Sequence, residues 1–318
     1  MRKMVLDAQA KLYLEMMSGI PPLHTLNPQT VRDLLSQLPV EQSISAGTGR
    51  TKEYEIPVEE GRITVRTYTP EGHGPFPLFV YYHGGGWVIG DLETADSTCR
   101  MLASHLNAVV ISVNYRLSPE YKFPIPLEDC YTALKWVEAN AGLLKGDSKK
   151  VIVGGDSAGG NLAAAVTILA RDRRGPNIMA QVLLYPSLDF DFTTESYQKY
   201  SKGFILTEEL MTWFAGHYAE SRDDLLNNLA APLLTEDLRG LPPALIFTAE
   251  YDVLRDDGLT YAKRLVEAGI QVEYKCEAGL IHGYFLIPMF THRIESTIER
   301  IADFLSNVKV DFTIGEVK

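Results

Sequence analysis

Val151-Ile152-Val153-Gly154-Gly155-Asp156-Ser157-Ala158-Gly159-Gly160 is the stretch on which the fold turns. A β-branched apolar run leads into a serine framed by glycines, and an alanine-rich helical segment comes next over residues 161–171. Strand, Gly-x-Ser-x-Gly, helix is the order of a nucleophile elbow, a turn so sharp that the serine backbone is strained and its Oγ stands above the sheet. Without a Cβ at Gly155 or Gly159, strand and helix can approach closely. The same ten residues would also suit a plain glycine-rich turn or one that binds phosphate, so the flanking sequence has to decide.

Outward from this stretch, short apolar runs alternate with helical ones. Residues 78–82, 109–113, 151–153, 182–184 and 244–248 are rich in branched or aromatic side chains, and helical segments lie at about 94–106, 126–140, 161–171 and 258–268. Continuous apolarity marks strands buried on both faces. The alternation predicts an α/β fold with a mostly parallel central sheet flanked by helices. A last strand (about 271–275) and a last helix (about 294–305) complete it. Ahead of it, Leu6, Ala10, Tyr13, Leu14 and Met17 recur at helical spacing until Pro21-Pro22. A second short helix is expected at about 28–38, then a hairpin of strands 53–58 and 63–68 turned by Glu59-Glu60-Gly61. About sixty residues separate the strands at 184 and 244, and they hold Leu210, Met211, Trp213, Phe214 and Tyr218. This insertion and the N-terminal helices are expected to form a helical cap: residues 1–45 and 188–225 as cap, 46–187 and 226–318 as core.

Composition excludes several classes. Among 318 residues, 30 Lys and Arg stand against 41 Asp and Glu, a net charge of −11, which disfavours nucleic acid and anionic membrane surfaces as partners. Asp7, Lys11 and Glu15 interrupt the apolar start, and no apolar run approaches the ~20 residues of a membrane span. Cys99, Cys130 and Cys276 have no metal-like spacing and read as reduced thiols of a cytoplasmic protein. No His/Asp/Glu cluster has ligand spacing, so no metal and no cofactor are expected.

A serine hydroxyl needs a base, a group to orient that base and donors for the oxyanion. Tyr82-His83-Gly84-Gly85-Gly86-Trp87 comes after the strand at 78–82. Gly84 and Gly85 are the expected oxyanion donors with Ala158, the residue after the serine. His83 is expected to orient that loop by hydrogen bonding. The acid lies past the strand at 244–248, with Glu250, Asp252, Asp256 and Asp257 as candidates. Asp252 sits where a loop leaves the strand and is favoured; Asp189 and Asp191 are the fallback. The base is His282 in Gly279-Leu280-Ile281-His282-Gly283-Tyr284, whereas His24, His73, His105, His217 and His292 lack a glycine-framed loop. Ser157, Asp252 and His282 keep the chain order Ser, Asp, His. Trp87, Phe204, Trp213 and Phe214 suggest an apolar substrate pocket, or else rings that bind cap to body.

These motifs resemble the hormone-sensitive-lipase-like family of α/β-hydrolases. His83-Gly84-Gly85-Gly86-Trp87, Tyr115-Arg116-Leu117-Ser118-Pro119-Glu120, Gly155-Asp156-Ser157-Ala158-Gly159-Gly160, Glu250-Tyr251-Asp252 and His282-Gly283-Tyr284 match its motifs in order over essentially the whole chain. The resemblance implies a cofactor-free carboxylesterase acting on short- to medium-chain acyl esters. It implies Ser157 as nucleophile, His282 as base, Asp252 as its partner, and a supporting role for Glu120. Tyr284, where phenylalanine is usual, is expected to add a hydroxyl near the histidine. The rival expectations are a ligand receptor on the same fold, or a peptidase, thioesterase, lactonase or amidase sharing the triad. A small-molecule ester is the expected partner, and the terminal strand or last helix offers a surface for a homodimer.

Overall fold

Eight strands join in one sheet in the order β1-β2-β4-β3-β5-β6-β7-β8. In this computed structural model, which describes residues 5–37 and 49–308, they are β1 (Arg50–Val58), β2 (Gly61–Thr69), β3 (Phe76–Tyr82), β4 (Val109–Asn114), β5 (Gly146–Asp156), β6 (Ala180–Leu184), β7 (Ala244–Tyr251) and β8 (Val272–Ile281). The hairpin β1–β2 and the pair β2–β4 are antiparallel; every other pairing is parallel. The expected mostly parallel sheet is therefore present, with an antiparallel hairpin along one edge.

The helices are α1 (Ala8–Met17), α2 (Pro28–Ser36), α3 (Asp96–Leu106), α4 (Ile125–Ala139), α5 (Ala158–Asp172), α6 (Glu195–Tyr200), α7 (Glu208–Tyr218), α8 (Arg222–Leu225), α9 (Arg255–Glu267) and α10 (Thr291–Asn307). They split between the two sheet faces. The core containing Val151 and Val153 of β5 takes its helical side chains from α4, α5 and α9. The core containing Ile152 takes them from α3 and α10. That is the period-two alternation of a strand serving two cores. All thirteen residues from Ala158 to Ala170 are buried, which explains why α5 is built from Ala and Gly.

Parallel strands release the loops at their carboxyl ends along one edge of the sheet. β5 runs between β3 and β6, so Ser157 emerges beside the loop that begins at His83. Tyr251 of β7 pairs with Ile281 of β8 after a register shift. Asp252 and His282, the next residues of the two strands, thus leave the sheet side by side. β8 runs on to residue 281, six residues beyond the strand end expected from sequence, so the histidine comes directly after the strand.

The insertion between β6 and β7 carries α6, α7 and α8. α7 packs against the short 3₁₀ turn Leu23–Thr25, and Phe123 N–H donates to the Tyr218 carbonyl at 2.8 Å. Helix α2 starts from Asn27, whose side chain accepts the Thr30 N–H, with Pro28 in the first turn. The expected boundary at 45/46 and Leu38, the expected end of the second helix, lie outside the described residues.

Candidate active site

Ser157 has φ 55° and ψ −118°, a strained conformation for a residue with a Cβ. The turn is held by the Ser157 N–H to the Leu184 carbonyl at 2.9 Å and the Asn161 N–H to the Ser157 carbonyl at 3.0 Å. Helix α5 crosses β3 so closely at Gly159 that a Cβ there would fall on the Tyr82 carbonyl oxygen and lie 2.7 Å from the His83 oxygen. Ser157 occupies the N-cap position of α5 without capping it, so its Oγ stays available.

His282 Nε2 lies 2.9 Å from Ser157 Oγ, and Nδ1 lies 2.7 Å from Asp252 Oδ2. A carboxylate only accepts, so Nδ1 carries the proton and Nε2 presents its lone pair to the serine hydroxyl. Asp252 Oδ1 accepts the Leu254 N–H at 3.0 Å, which fixes the carboxylate at the end of β7. Asp252 is 1% and His282 8% exposed, so the chain of hydrogen bonds is screened from water. The Tyr185 ring meets the imidazole edge-on at 4.9 Å between centroids.

The other acid candidates are engaged elsewhere. Glu250 accepts the Gly279 N–H, Asp256 the Ser196 N–H, and Asp257 the N–H groups of Leu188 and Asp189. Burial pushes the Asp257 carboxyl well above the usual carboxylate range. Asp189 and Asp191 accept from their own loop, Phe190 and Thr193.

The glycine loop corrects one expectation. Gly84 gives its N–H to Asp156 Oδ1 at 2.9 Å and has none left for an oxyanion. No protein acceptor among the described residues takes the N–H groups of Gly85, Gly86 or Ala158. The same Asp156 oxygen accepts the Tyr81 hydroxyl at 2.7 Å, so one carboxylate joins the elbow to the loop. Burial raises the Asp156 pKa, an effect opposed by those two hydrogen bonds. His83 holds the loop as expected: Nδ1 is 2.8 Å from the Gly84 carbonyl, and its ring stacks on Tyr115 at 4.4 Å.

The aromatic set divides. Trp87 is 1% exposed and stacked on Tyr218 at 4.2 Å, so it is core and presents no face to a substrate. Phe204 packs on Tyr200 and Tyr251, and Trp213 on Phe214 and His217. Phe214 alone of the four is brought to the glycine loop: a Cβ on Gly86, at φ 58°, would overlap its ring. The Tyr284 hydroxyl turns away from His282 to Thr297 of α10, 3.3 Å away.

Two features escaped the sequence. Arg32 of α2 donates to the Val88 and Ser118 carbonyls at 2.8 and 2.7 Å and forms a bidentate pair with Glu120. A pocket of about 150 Å³ adjoins the loop, lined by Gly84, Gly85 and Asp156 with Leu35, Ile89 and Leu286. Leu35 and Arg32 had no motif to mark them; Asp156 lies inside one.

Among the described residues no three His, Cys, Asp or Glu form a group that could hold a metal ion, and no helix is long and apolar enough to cross a membrane.

A family model described as the alpha/beta hydrolase fold matches residues 79–286. The carboxylic ester hydrolase LipN of Mycobacterium tuberculosis is 44% identical over 238 residues, 72% of this chain and 62% of its own length. An arylesterase of Saccharolobus solfataricus is 37% identical over 84% of this chain and 87% of its own. The crystal structure of a thermostable esterase from Pseudomonas putida superposes with a TM-score of 0.91 at 32% identity, covering 96% of this chain and 99% of that one.

Proposed function

From the premise that this chain belongs to the α/β-hydrolase family, in its hormone-sensitive-lipase-like branch, we propose that it is a serine carboxylesterase acting on small acyl esters. The observation that carries this is the continuous line from Ser157 Oγ through His282 to Asp252, at 2.9 and 2.7 Å. That geometry suits acyl transfer in two steps. His282 Nε2 takes the Ser157 proton as Oγ attacks the ester carbonyl, and the carbonyl π electrons move onto oxygen. The tetrahedral intermediate collapses, the C–O bond to the alcohol breaks, and His282 returns the proton to the leaving oxygen. Water, activated by His282 in the same way, then releases the acid from the acyl-enzyme. Asp252 keeps the Nδ1–H tautomer and stabilises the imidazolium.

The oxyanion donors assigned are Gly85, Gly86 and Ala158, with Gly84 replaced because its N–H is committed. Each such donor is typically worth about 2.7–4 kcal/mol to the transition state. Asp156 aligns the two halves of this hole, since its Oδ1 accepts from the loop and its backbone adjoins the nucleophile. Residues 1–45 and 188–225 form the cap. Residence in the cytoplasm rests on the three free cysteines, and pairing as a homodimer on the outermost place of β8 in the sheet.

Initial rates on p-nitrophenyl esters, acetate to palmitate, test the assignment. Wild type should turn over the short esters, and Ser157→Ala should lose that turnover while keeping its fold by circular dichroism. A folded wild type inert on every ester would overturn the esterase reading. Equal rates in Ser157→Ala would overturn the nucleophile.

A further inference from the structure

The geometry points to the pocket beside the glycine loop as a subsite for an acyl chain that carries a hydroxyl group, so that short hydroxyacyl esters are the preferred substrates. This rests on the esterase reading above and adds the chemical class of the acid half.

The pocket holds about 150 Å³, room for a chain of a few carbons. Its walls are the side chains of Leu35, Ile89, Ala95 and Leu286 and the backbone of the glycine loop. Two polar side chains also line it, His83 and Asp156, each 2% exposed. Each has one hydrogen-bonding atom used by the protein and one left over. His83 Nδ1 sits 2.8 Å from the Gly84 carbonyl, which can only accept, so Nδ1 carries the proton. Nε2 is then an acceptor, and it is buried without a hydrogen-bond partner. Burial also holds the His83 imidazolium below its ordinary range, which keeps that lone pair. Asp156 Oδ1 takes both the Tyr81 hydroxyl and the Gly84 N–H, and no other residue donates to Oδ2.

The apolar pocket is thus bordered by two acceptors and no matching donor. Buried polar groups are ordinarily paired. A hydroxyl is the small neutral group that supplies the donor, and its lone pairs serve equally if the Asp156 carboxyl is protonated. An ammonium would bring a charge into apolar walls at a heavy desolvation cost.

The pocket belongs to the acid half of an ester for a mechanistic reason. The leaving oxygen must approach His282 Nε2 to receive its proton. The acyl chain leaves the carbonyl on the other side. The pocket borders Gly84, Gly85 and Asp156, and His282 is absent from its lining.

The test compares p-nitrophenyl 3-hydroxybutanoate with p-nitrophenyl butanoate, each kcat/KM divided by the ester's hydroxide-catalysed rate to remove intrinsic reactivity. A site that hydrogen-bonds a substrate hydroxyl discriminates against the analogue lacking it. Wild type should favour the hydroxy ester by about tenfold or more. Asp156→Asn keeps an oxygen for Tyr81 and Gly84 but turns the second position into a donor, and the preference should shrink to a small factor. Ala95→Leu, which fills the same pocket from the helix side, should erase it too. Equal rates on the two esters in wild type, or preference for butanoate, would overturn the subsite and leave the esterase intact, as acetate turnover lost in Ser157→Ala would show. A hydroxyl preference that survives both variants would overturn its placement in this pocket. No ester turnover at all would remove the subsite along with the esterase reading.

Discussion

Ser157 illustrates how a single residue's strain is supported by its neighbours. Its φ of 55° persists because the chain on either side is pinned: β5 is paired on both edges, and α5 is buried along almost its whole length. The close crossing at Gly159 is part of that support. Gly159→Ala would place a methyl on the Tyr82 carbonyl, so β3 and α5 must separate. Overpacking of this kind costs about 1–3 kcal/mol, and a displacement of the elbow by an ångström can cost about 10²-fold in rate. Urea denaturation and kcat/KM on a short ester should show both losses; a variant with wild-type stability and rate would mean that the crossing is not tight. The nucleophile, base and acid were all legible in the sequence, because each sits next to residues with a local signature. Gly84 was misassigned for an equally physical reason. Its N–H is taken by a carboxylate 72 residues away, and nothing in Gly-Gly-Gly reveals which of three N–H groups has an acceptor.

Among the elements, α2 does the most that its sequence did not announce. Its Arg32 spans three acceptors: the carbonyl of Val88, two residues after the glycine loop, the carbonyl of Ser118, and the carboxylate of Glu120. The guanidinium fork suits such a clamp in a way that an ammonium cannot. The supporting role implied for Glu120 is therefore a partnership with the N-terminal segment. Arg32→Ala should lower stability by about 2 kcal/mol, the scale of charge-assisted bonds to carbonyls in a partly buried site. It should also lower kcat/KM at temperatures far below unfolding, because the loop bearing the oxyanion donors loses its outer support; Arg32→Lys should restore only part. Unaltered kinetics in Arg32→Ala would confine the residue to a stabilising role. The strands and helices themselves were legible, since β-branched runs, helical periodicity and prolines are local. The length of β8 was not, because its last six residues are strand only through pairing with β7.

At the scale of the whole molecule, buried carboxyls on the active edge of the sheet set a pH dependence. Asp257 carries the firmest shift: burial comes first, and the negative charges of Asp189 and Asp252 add to it. A carboxyl whose pKa is raised by folding holds its proton more tightly in the native state than in the unfolded chain. Its ionisation therefore costs stability progressively as pH rises above the unfolded value, until the folded value is passed. Asn retains an oxygen for the Leu188 and Asp189 N–H groups without the charge. The difference in unfolding free energy between Asp257→Asn and wild type should thus move in favour of the variant from about pH 5 to about pH 8. A difference constant over that range would mean that Asp257 titrates alike in the folded and unfolded chains. Asp156 and Asp189 are raised in the same direction by burial, so the wild type itself should lose stability over the same interval relative to a protein without such groups.

The sequence by itself determined the layered α/β architecture, the elbow and the identities of Ser157, Asp252 and His282, because periodicity, turn chemistry and chain order are properties of neighbouring residues. Only the tertiary structure decided which N–H groups remain free for an oxyanion, which aromatic ring reaches the glycine loop, how α2 is clamped to the core, and where a pocket with two unpaired acceptors lies. Each of those depends on whether a particular donor meets a particular acceptor, or one surface fills another, across tens of residues of intervening chain. Packing fixes such commitments, and the local pattern of residue types does not record them.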